Sequence, residues 1–561
     1  MQSFYKYLTA GYCNAVVHIL AKERVKQGGK NKLDRNSKSE IKTIMPPRNR
    51  WLRLRLSTRR KGLSKEAANI LSIRKTVASD FKRFHNDMSS APEYLVKLTE
   101  FLDKIKAAVT GTSPAKFSGE AEQGQVFSII PKFKEDKDGD AIYRPLCIYN
   151  DLLAKTLISA ASTYFTKVFD KHLHEEILSY RPRRTYHGKV TVTDGSFAIK
   201  GIQEFIQSHR DKKIYVAECD IQKFFDIING DVVLDCFDRL AAKAGVPDYH
   251  QARGVLKAYL DSYGFVPDVL AHNDEPDFWH MARKRHIGKI EGSCLFKWVK
   301  EEDFMQAYTQ EEFQLQRSSL GVPQGGALSC VISNVVLNDV DQSIIAEEDP
   351  DRFFARYGDD IIMMHTDRDK CERLLEAYKS ALLQHRLIFH KFEDFADLKD
   401  GAKNTKAFWR GKSKPVFLWG PGEGNASEWI GFVGYELRFD GSTRLRLATL
   451  NKKFGEINKK YHKCLQSKQP DPDKLIENTI SRMAALPDSI GKFTELKPNF
   501  YLGEQLKSLD RYRHKKIAKL DQKLGNRNLC TPGLTSHFEG APETSYFWRS
   551  FKLLLSDTHC L

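Results

Sequence analysis

The fold of this chain is decided by one stretch, Phe353-Phe354-Ala355-Arg356-Tyr357-Gly358-Asp359-Asp360-Ile361-Ile362-Met363-Met364. Two apolar runs flank a tight Gly-Asp-Asp, a pattern that predicts a β-hairpin with adjacent acids at its tip. Carboxylates between apolar strands are costly to bury unless a cation neutralises them. The stretch therefore predicts a cation site, although an ordinary turn built from Gly and Asp fits the same residues.

A second acidic position lies upstream, at the end of an apolar run. Residues 214–226 predict a strand that ends at Asp220, followed by a turn or short helix carrying Phe224 and Phe225. An acid at a strand end and an acid pair at a hairpin tip can converge on two divalent cations about 3.5–4 Å apart, which stabilise in-line phosphoryl displacement. The alternative interpretation is an Asp that caps the next helix.

Two further segments are predicted to lie near a ligand. Residues 318–329 are Gly-rich around Gln324, and such glycines permit close approach of the backbone to a ligand before a helix begins near residue 327. Residues 127–146 predict a hairpin that places Lys132 on one strand and Arg144 on the other. Two cations on paired strands suit a triphosphate, while a solvated hairpin with surface charges is the alternative.

Composition and charge exclude several classes of protein. The chain has 561 residues, of which 41% are hydrophobic and 29% charged, so two to four globular domains are expected rather than a disordered or fibrous chain. The net charge is +17, and residues 1–75 hold 19 Lys and Arg against 4 Asp and Glu. A surplus concentrated in one segment indicates a polyanionic partner, of which nucleic acid is the commonest.

The cysteines and the apolar runs indicate a cytoplasmic protein with no membrane partner. None of the ten cysteines forms a CxxC pair, so neither a zinc ribbon nor a disulfide framework is expected. No apolar run reaches the roughly 18 residues that a membrane helix needs.

Changes in composition and apolar pattern along the chain predict five regions. We expect a flexible N-terminal extension, a basic helical extension with a linker, an α+β region with an insertion near 270–315, a helical region and a tail; their bounds are 1–44, 45–124, 125–447, 448–530 and 531–561.

Taken in chain order, these segments resemble the reverse transcriptase family. The shared order is IPK…RPL, then an Asp followed by two Phe, then GxPQG, YxDD and FxGY, over residues 126–450. The resemblance implies an α+β, right-hand polymerase fold of fingers, palm and thumb, with the basic helical extension added at its N-terminus. It also implies RNA-directed DNA synthesis from dNTPs with two Mg²⁺ ions, for which Mn²⁺ can substitute.

The resemblance assigns roles to matching residues. Asp220, Asp359 and Asp360 are the catalytic carboxylates and, with the Ile221 carbonyl, the metal ligands. The nucleotide-binding residues are Lys132, Arg144, Phe225, Gln324 and Lys403. The primer grip comprises Phe432, Gly434 and Tyr435.

Three other functions share parts of this pattern. An RNA-dependent RNA polymerase also fits Tyr357-Gly358-Asp359-Asp360, but Phe225 favours deoxynucleotides because an aromatic ring there would clash with a ribose 2′-hydroxyl. Untemplated or protein-primed DNA synthesis would use the same carboxylates. A non-catalytic RNA-binding scaffold would be expected to lack one of them, and all are present.

The segment 178–184, LSYRPRR, resembles intron-derived reverse transcriptases and their bacterial relatives, the unknown-group, defence-associated and abortive-infection enzymes. This resemblance implies a role in antiphage defence, with a structured non-coding RNA as template, a DNA product and homo-oligomers as one form of assembly. We expect RNA phosphates to be bound by the basic run Arg48, Arg50, Arg53, Arg55, Arg59, Arg60 and Lys61.

Overall fold

The computed structural model describes residues 3–9, 15–26, 33–54, 65–110, 126–135, 141–184, 190–192, 195–247, 249–275, 296–392, 408, 411–420, 429–465 and 500–523. The helices in these residues are α1 Phe4–Thr9, α2 Ala15–Val25, α3 Arg35–Thr43, α4 Lys65–Phe84, α5 Glu93–Thr110, α6 Leu152–Phe169, α7 Gly195–Ser208, α8 Phe224–Ile227, α9 Gly230–Ala244, α10 Tyr249–Asp261, α11 Phe265–Asp268, α12 Glu301–Phe304, α13 Gln310–Gln316, α14 Ser329–Ile345, α15 Arg368–Gln384, α16 Leu447–Leu465 and α17 Phe500–Lys523. The strands are β1 Phe127–Glu135, β2 Ala141–Tyr149, β3 Pro182–Arg184, β4 Val190–Val192, β5 Ile214–Asp220, β6 Arg352–Tyr357, β7 Asp360–His365, β8 Lys414–Trp419, β9 Trp429–Phe432, β10 Tyr435–Arg438 and β11 Thr443–Leu445.

A four-stranded antiparallel sheet in the order β6-β7-β5-β8 holds the acidic segments. Its strands are nearly continuous apolar runs because both faces of the sheet are buried. Cys219 and Met363 pack into one apolar cluster, while Val216 and Met364 pack into another. Helix α15 lies against β5, β7 and β8, and α7 lies against β6.

The predicted acid-tipped hairpin is present. Strands β6 and β7 pair from Arg352 opposite His365 to Tyr357 opposite Asp360, which leaves Gly358 and Asp359 as the turn. Gly358 has a φ of 75°, a left-handed conformation that glycine adopts without the steric penalty of a side chain. The Gly therefore permits the tight turn that brings both acids to the end of the sheet.

The N-terminal helices differ from the expected flexible extension. Phe4 and Val17 are fully buried, and the Phe4 ring lies 5.2 Å from the ring of Tyr164 on α6. Helix α1 contacts α5, α6 and α10, while α2 contacts α4 and α6. The buried apolar residues of α1 and α2 belong to the main core, because burying them offsets the entropy of ordering these helices.

The predicted basic helical extension forms two long helices, α4 and α5. Helix α4 ends at Phe84, and a short 3-10 turn at Met88–Ser90 precedes α5. Asp87 accepts a hydrogen bond from the Ser89 N–H, and Pro92 follows. A capping Asp and a Pro both favour interruption of a helix.

The described part of the expected insertion packs against the body of the protein. Phe304, Tyr308 and Phe313 are buried, and the Phe304 and Phe313 ring centroids lie 4.6 Å apart. Arg386 stabilises the position of this aromatic cluster through its ion pair with Glu312. Residues 276–295, which carry the most charged part of the insertion, lie outside the described residues.

Past the sheet, a small antiparallel sheet in the order β11-β10-β9 leads into two long basic helices. Helices α16 and α17 contact each other, with Ile457 and Leu509 buried between them. This confirms a mixed α+β chain. In the part of the chain that the structure describes, no helix is both long and apolar enough to span a bilayer.

Candidate active site

The register of the central sheet brings the predicted carboxylates together. Asp220, the last residue of β5, pairs directly with Asp360, the first residue of β7, and Asp359 occupies the adjoining turn. Burial, followed by the charge of Asp220, raises the pKa of Asp359 above its usual value. Asp360 keeps contact with solvent, yet the surrounding protein and the charges of Asp359 and Asp220 raise its pKa to about 7. Both pKa values are thus raised first by burial and then by the neighbouring carboxylate charges.

This cleft suits hard divalent cations. Its donors are carboxylate oxygens, the ligand class that Mg²⁺ and Mn²⁺ prefer. Next to the cleft, Ile221 and Phe389 form an antiparallel bridge. The two hydrogen bonds of this bridge are donated by the Gln222 N–H and the His390 N–H, and neither of them is accepted by the Ile221 carbonyl. The donor set therefore fits the metal ligands predicted from the sequence.

A lysine that sequence reasoning did not select provides positive charge in this cleft. Lys412 Nζ lies 3.0 Å from Asp220 Oδ2 and 3.1 Å from His390 Nε2. Burial and the charges of Lys412 and Lys223 lower the pKa of His390 to about 4, so its ring is neutral near pH 7. The predicted cation, Lys403, lies outside the described residues.

The position of Lys412 depends on a contact between distant parts of the chain. Lys412 directly precedes Ser413, whose hydroxyl accepts a hydrogen bond from the Asp220 N–H of β5. Sequence spacing does not show this contact.

Among the described residues, the donor atoms of the three carboxylates are less closely grouped than those of one other cluster. Among the described residues, the group of metal-ligating side chains whose donor atoms all lie within 4.8 Å of one another is Cys236, Asp339 and His385. The Arg239 guanidinium already contacts both the Cys236 sulfur, at 3.3 Å, and the Asp339 carboxylate. The Arg239 guanidinium therefore already balances the negative charge of that cluster.

A buried ion pair supports the acid-bearing turn from behind. Arg356 and Asp341 are fully buried, and Arg356 Nε lies 2.8 Å from Asp341 Oδ2. The same guanidinium donates to the Gly358 carbonyl at 3.2 Å, and the Gly358 N–H donates to Ser179 Oγ at 2.8 Å. Asn334 links the two sides, because it accepts from Arg356 and donates to the Ser179 carbonyl. Both polar groups of the Gly358 residue are therefore held by buried partners.

This network was missed at the sequence level. The available signal was an arginine, Arg356, inside an otherwise apolar strand, because a charge at such a position requires a buried partner. Its partners lie on α14 and in the segment before β3, and no sequence rule identifies them.

The Gly-rich loop lies against the predicted sugar gate. The Phe225 carbonyl accepts from the Val322 N–H at 2.8 Å, and Gln324 Nε2 donates to Asp226 Oδ1 at 2.6 Å. Burial raises the pKa of Asp226 to about 6, against the opposing effects of Lys223 and Gln324. Phe225 packs on Phe224 with ring centroids 5.1 Å apart. The structure thus brings Phe225 and Gln324 together, and Asp226 is the residue that joins them.

The two predicted triphosphate cations share one hairpin. Lys132 and Arg144 are direct partners across β1 and β2, and both are exposed. The charge of Arg144 opposes part of the rise in the pKa values of Asp226 and Asp359, which places Arg144 within electrostatic range of the cleft. Lys132 lies beside it on the same hairpin.

The FxGY hairpin is present, but two of its named side chains face inward. Phe432 and Tyr435 are buried in an apolar cluster, whereas Val433 and Gly434 form the turn with φ values of 47° and 85°. The primer-grip assignment of Phe432, Gly434 and Tyr435 stays a prediction, and the burial of the two aromatic side chains leaves the turn as the accessible part of the hairpin. Arg446 lies beside this hairpin, and its charge opposes the rise in the Asp360 pKa.

The predicted basic run is only partly described. Arg48, Arg50 and Arg53 are exposed on a segment anchored to α4, since the Leu52 N–H donates to Thr76 Oγ1 at 2.9 Å. The remaining members lie outside the described residues: Arg55, Arg59, Arg60 and Lys61.

A comparison with known protein families gives a match that covers part of this site. Residues 277–392 match the family model described as reverse transcriptase (RNA-dependent DNA polymerase), a span that includes the Gly-rich loop and the acid-tipped hairpin. The chain contains an RNA-dependent DNA polymerase domain. Divalent metal catalysis and an RNA template are implied by this reverse transcriptase match.

No curated protein matches the sequence significantly. Among solved structures, the chain is similar to telomerase from Candida tropicalis in complex with the TWJ fragment of telomeric RNA, with 12% identity, coverage of 99% of this chain and 84% of that chain, and a TM-score of 0.34. Telomerase from Candida albicans in complex with the same kind of fragment shows 13% identity, 86% and 76% coverage, and a TM-score of 0.32. Such low TM-scores carry no argument about this chain.

The buried pair gives a stability prediction. We expect Arg356→Met to lower the free energy of unfolding by about 3–5 kcal/mol, because it leaves the Asp341 carboxylate buried without its cation. The measurement is denaturant unfolding, with Arg368→Met as the control because Arg368 forms an exposed pair with Glu372. Equal stabilities of these two variants would contradict a supporting role for Arg356, whereas Arg356→Met/Asp341→Leu should recover part of the loss.

Asp226 gives a pH prediction. Its folded-state pKa of about 6 exceeds the usual 3.8, so the folded state holds this proton more tightly than the unfolded state. The resulting stability is present below about pH 4 and is lost as pH rises through 6. Relative to Asp226→Asn, the wild-type unfolding free energy should fall by about 1–3 kcal/mol between pH 4 and 6 and then run parallel. A relative stability that instead rises with pH would show that Asp226 is charged in the folded state.

Proposed function

We propose that this chain is an RNA-directed DNA polymerase with a right-hand arrangement, in which the acid-bearing sheet is the palm, β1 and β2 belong to the fingers, and α16 and α17 form the thumb. The observation that supports the proposal most directly is the pairing of Asp220 with Asp360 beside Asp359. A two-metal site needs carboxylates from separate segments at one end of a rigid sheet, and this register provides them.

Each residue near the cleft has a distinct task in this proposal. Asp220, Asp359 and Asp360, together with the Ile221 carbonyl, would hold two Mg²⁺ ions, or Mn²⁺ in their place. When bound, these ions supply Lewis-acid activation of the primer 3′-hydroxyl and neutralisation of the leaving pyrophosphate.

The chain's own cations position the nucleotide. Arg144 and Lys132 project from paired positions of one hairpin and donate charge-assisted hydrogen bonds to the triphosphate. Lys412 lies close to Asp220, where its ammonium group can stabilise the negative charge that develops on the departing pyrophosphate. The Lys412 ion pair must open for a metal to reach Asp220, and its exposed side chain permits that movement.

Phe225 supplies selection of the sugar. The loop bonds from Val322 and Gln324 hold the backbone around Phe225, so the ring cannot easily withdraw from a bulky sugar. This favours deoxynucleotides over ribonucleotides and separates the proposal from an RNA-dependent RNA polymerase. The retained carboxylates likewise disfavour a non-catalytic scaffold.

The basic segment supports a structured RNA partner. Arg48, Arg50 and Arg53 are presented on a backbone that α4 anchors, so their guanidinium groups are displayed from a fixed surface. Fixed cations at several positions suit the phosphates of a folded non-coding RNA. Antiphage defence, a DNA product and activity within a homo-oligomer are part of the proposal through the resemblance of residues 178–184.

The chemistry is tested with Asp359→Asn, which keeps the shape of the turn and removes one charge. We expect DNA synthesis from dNTPs to fall by about a hundred- to a thousandfold, by analogy with the loss of other charge-stabilising groups, while RNA affinity stays within about twofold. Nucleic acids that co-purify with wild type and with the variant should be sequenced with and without phage challenge. Retained synthesis by Asp359→Asn would refute the active-site assignment, and DNA covalently attached to peptide would favour protein priming.

The sugar gate is tested with Phe225→Ala. We expect ribonucleotide incorporation to rise about tenfold or more relative to deoxynucleotides, because the ring that excludes the 2′-hydroxyl is gone. Single-nucleotide extension with matched ribo- and deoxynucleotides provides the ratio, and Phe225→Tyr, which keeps the ring, is the control. An unchanged ratio in Phe225→Ala would reject the gate.

The RNA surface is tested with Arg48→Ala/Arg53→Ala. The slope of log affinity against log salt should become shallower by about 2, since each lost phosphate contact removes about one released counterion. The charge-matched control is Arg368→Ala/Lys370→Ala on α15, which should leave RNA binding unchanged. Equal slopes for the two double variants would show that this segment does not contact RNA.

A further inference from the structure

Tyr180 is held in an unfavourable backbone conformation beside the catalytic turn. Its φ of 58° lies in the left-handed region, which is costly for a residue with a bulky side chain. Its side chain nevertheless remains 39% exposed. Strained residues of this kind persist where the surrounding structure fixes them, and they concentrate at functional sites.

Both neighbours of Tyr180 supply that constraint. Ser179 is fully buried and is bonded to Gly358 and Asn334. Arg181 is buried, lies 2.8 Å from Asp170, and donates to the His174 and Ile177 carbonyls. Residues 179 and 181 are therefore held in place by buried contacts, and these contacts fix the backbone that carries the Tyr180 ring.

The ring points to the face of the turn that Gly358 leaves open. A β-carbon placed on Gly358 would have the Tyr180 hydroxyl, at 3.9 Å, as its neighbour within 4 Å. The hydroxyl thus covers the surface that a side chain at position 358 would otherwise occupy, next to Asp359. Burial, followed by the charges of Cys330 and Asp359, raises the pKa of Tyr180, so the hydroxyl remains a hydrogen-bond donor across the neutral range.

We propose that Tyr180 contacts the terminal base pair of the primer–template duplex and donates its hydroxyl proton to an acceptor in the minor groove. This inference rests on the proposed polymerase function, because it places the primer end at Asp359. An enzyme that copies any sequence needs a contact common to all base pairs. Purine N3 and pyrimidine O2 are such acceptors, since they occur in every pair.

The ring adds a second, apolar contact. An aromatic face beside the terminal sugar excludes water, while the hydroxyl reads the groove edge. A mispaired terminus shifts these acceptors away from a hydroxyl that the fixed backbone cannot follow. Tyr180 therefore favours extension of correctly paired ends.

The hydrogen bond is tested by pairing a protein change with a nucleic-acid change. Steady-state single-nucleotide extension is measured on an ordinary primer and on one whose terminal purine is 3-deaza, which lacks the N3 acceptor. Wild type should lose about three- to tenfold in kcat/KM for the deaza primer, the range expected for one hydrogen bond. Tyr180→Phe should show that loss on the ordinary primer and no further loss on the deaza primer. Two independent, multiplying losses would overturn the proposal.

Backbone strain provides a second readout. Tyr180→Gly relieves the left-handed conformation, so its melting temperature should equal or exceed that of Tyr180→Ala, while both variants lose the primer contact. Both should raise KM for the primer–template more than KM for the dNTP. Leu315→Ala, at an 81% exposed side chain on α13, is the control for surface truncation. Unchanged primer KM in a folded Tyr180→Ala would reject the contact.

The outcomes separate this inference from the proposed function. If wild type and Tyr180→Phe extend both primers equally while Asp359→Asn is inactive, the polymerase function stands and the Tyr180 contact is wrong. If wild type extends neither primer under any metal condition, the polymerase function fails and the Tyr180 contact fails with it.

Discussion

The repulsion between carboxylates at the end of the central sheet is the constraint on which the rest of the structure depends. Asp220, Asp359 and Asp360 lie on adjacent backbone segments, and their mutual charge opposes folding until a cation compensates it. The protein withstands this repulsion through apolar strands buried on both faces. Lys412, which is paired with Asp220, and Arg446, which lies near Asp360, offset part of the negative charge.

The same constraint explains why buried polar groups gather behind the turn. An apolar core alone would leave the polar groups of the Gly358 peptide without partners, and a small rotation of that peptide would move both acids. The Arg356 guanidinium and the Ser179 hydroxyl hold it from opposite sides. A buried ion pair is a poor source of net stability, but its directional bonds fix geometry, which a metal site requires.

Local sequence patterns predicted the parts of this molecule that depend on neighbouring residues. The acid-tipped hairpin, the strand ending at Asp220 and the β1–β2 hairpin follow from apolar alternation and turn residues, and they are present. The contribution of Lys412 was not predicted, because its proximity to Asp220 depends on how β8 pairs with β5. The inward orientation of Phe432 and Tyr435 was missed for a related reason, since a motif does not show which side of a hairpin the core covers.

The burial of α1 and α2 has a consequence for how the chain reaches its folded state. Phe4 packs on Tyr164 and Phe165, residues about 160 positions later in the sequence. During synthesis the first helices must wait for α6 and α10 to leave the ribosome before their apolar faces are covered. Until then the apolar faces of α1 and α2 are accessible to chaperones, and they are covered only when the residues that pack on them have been synthesised.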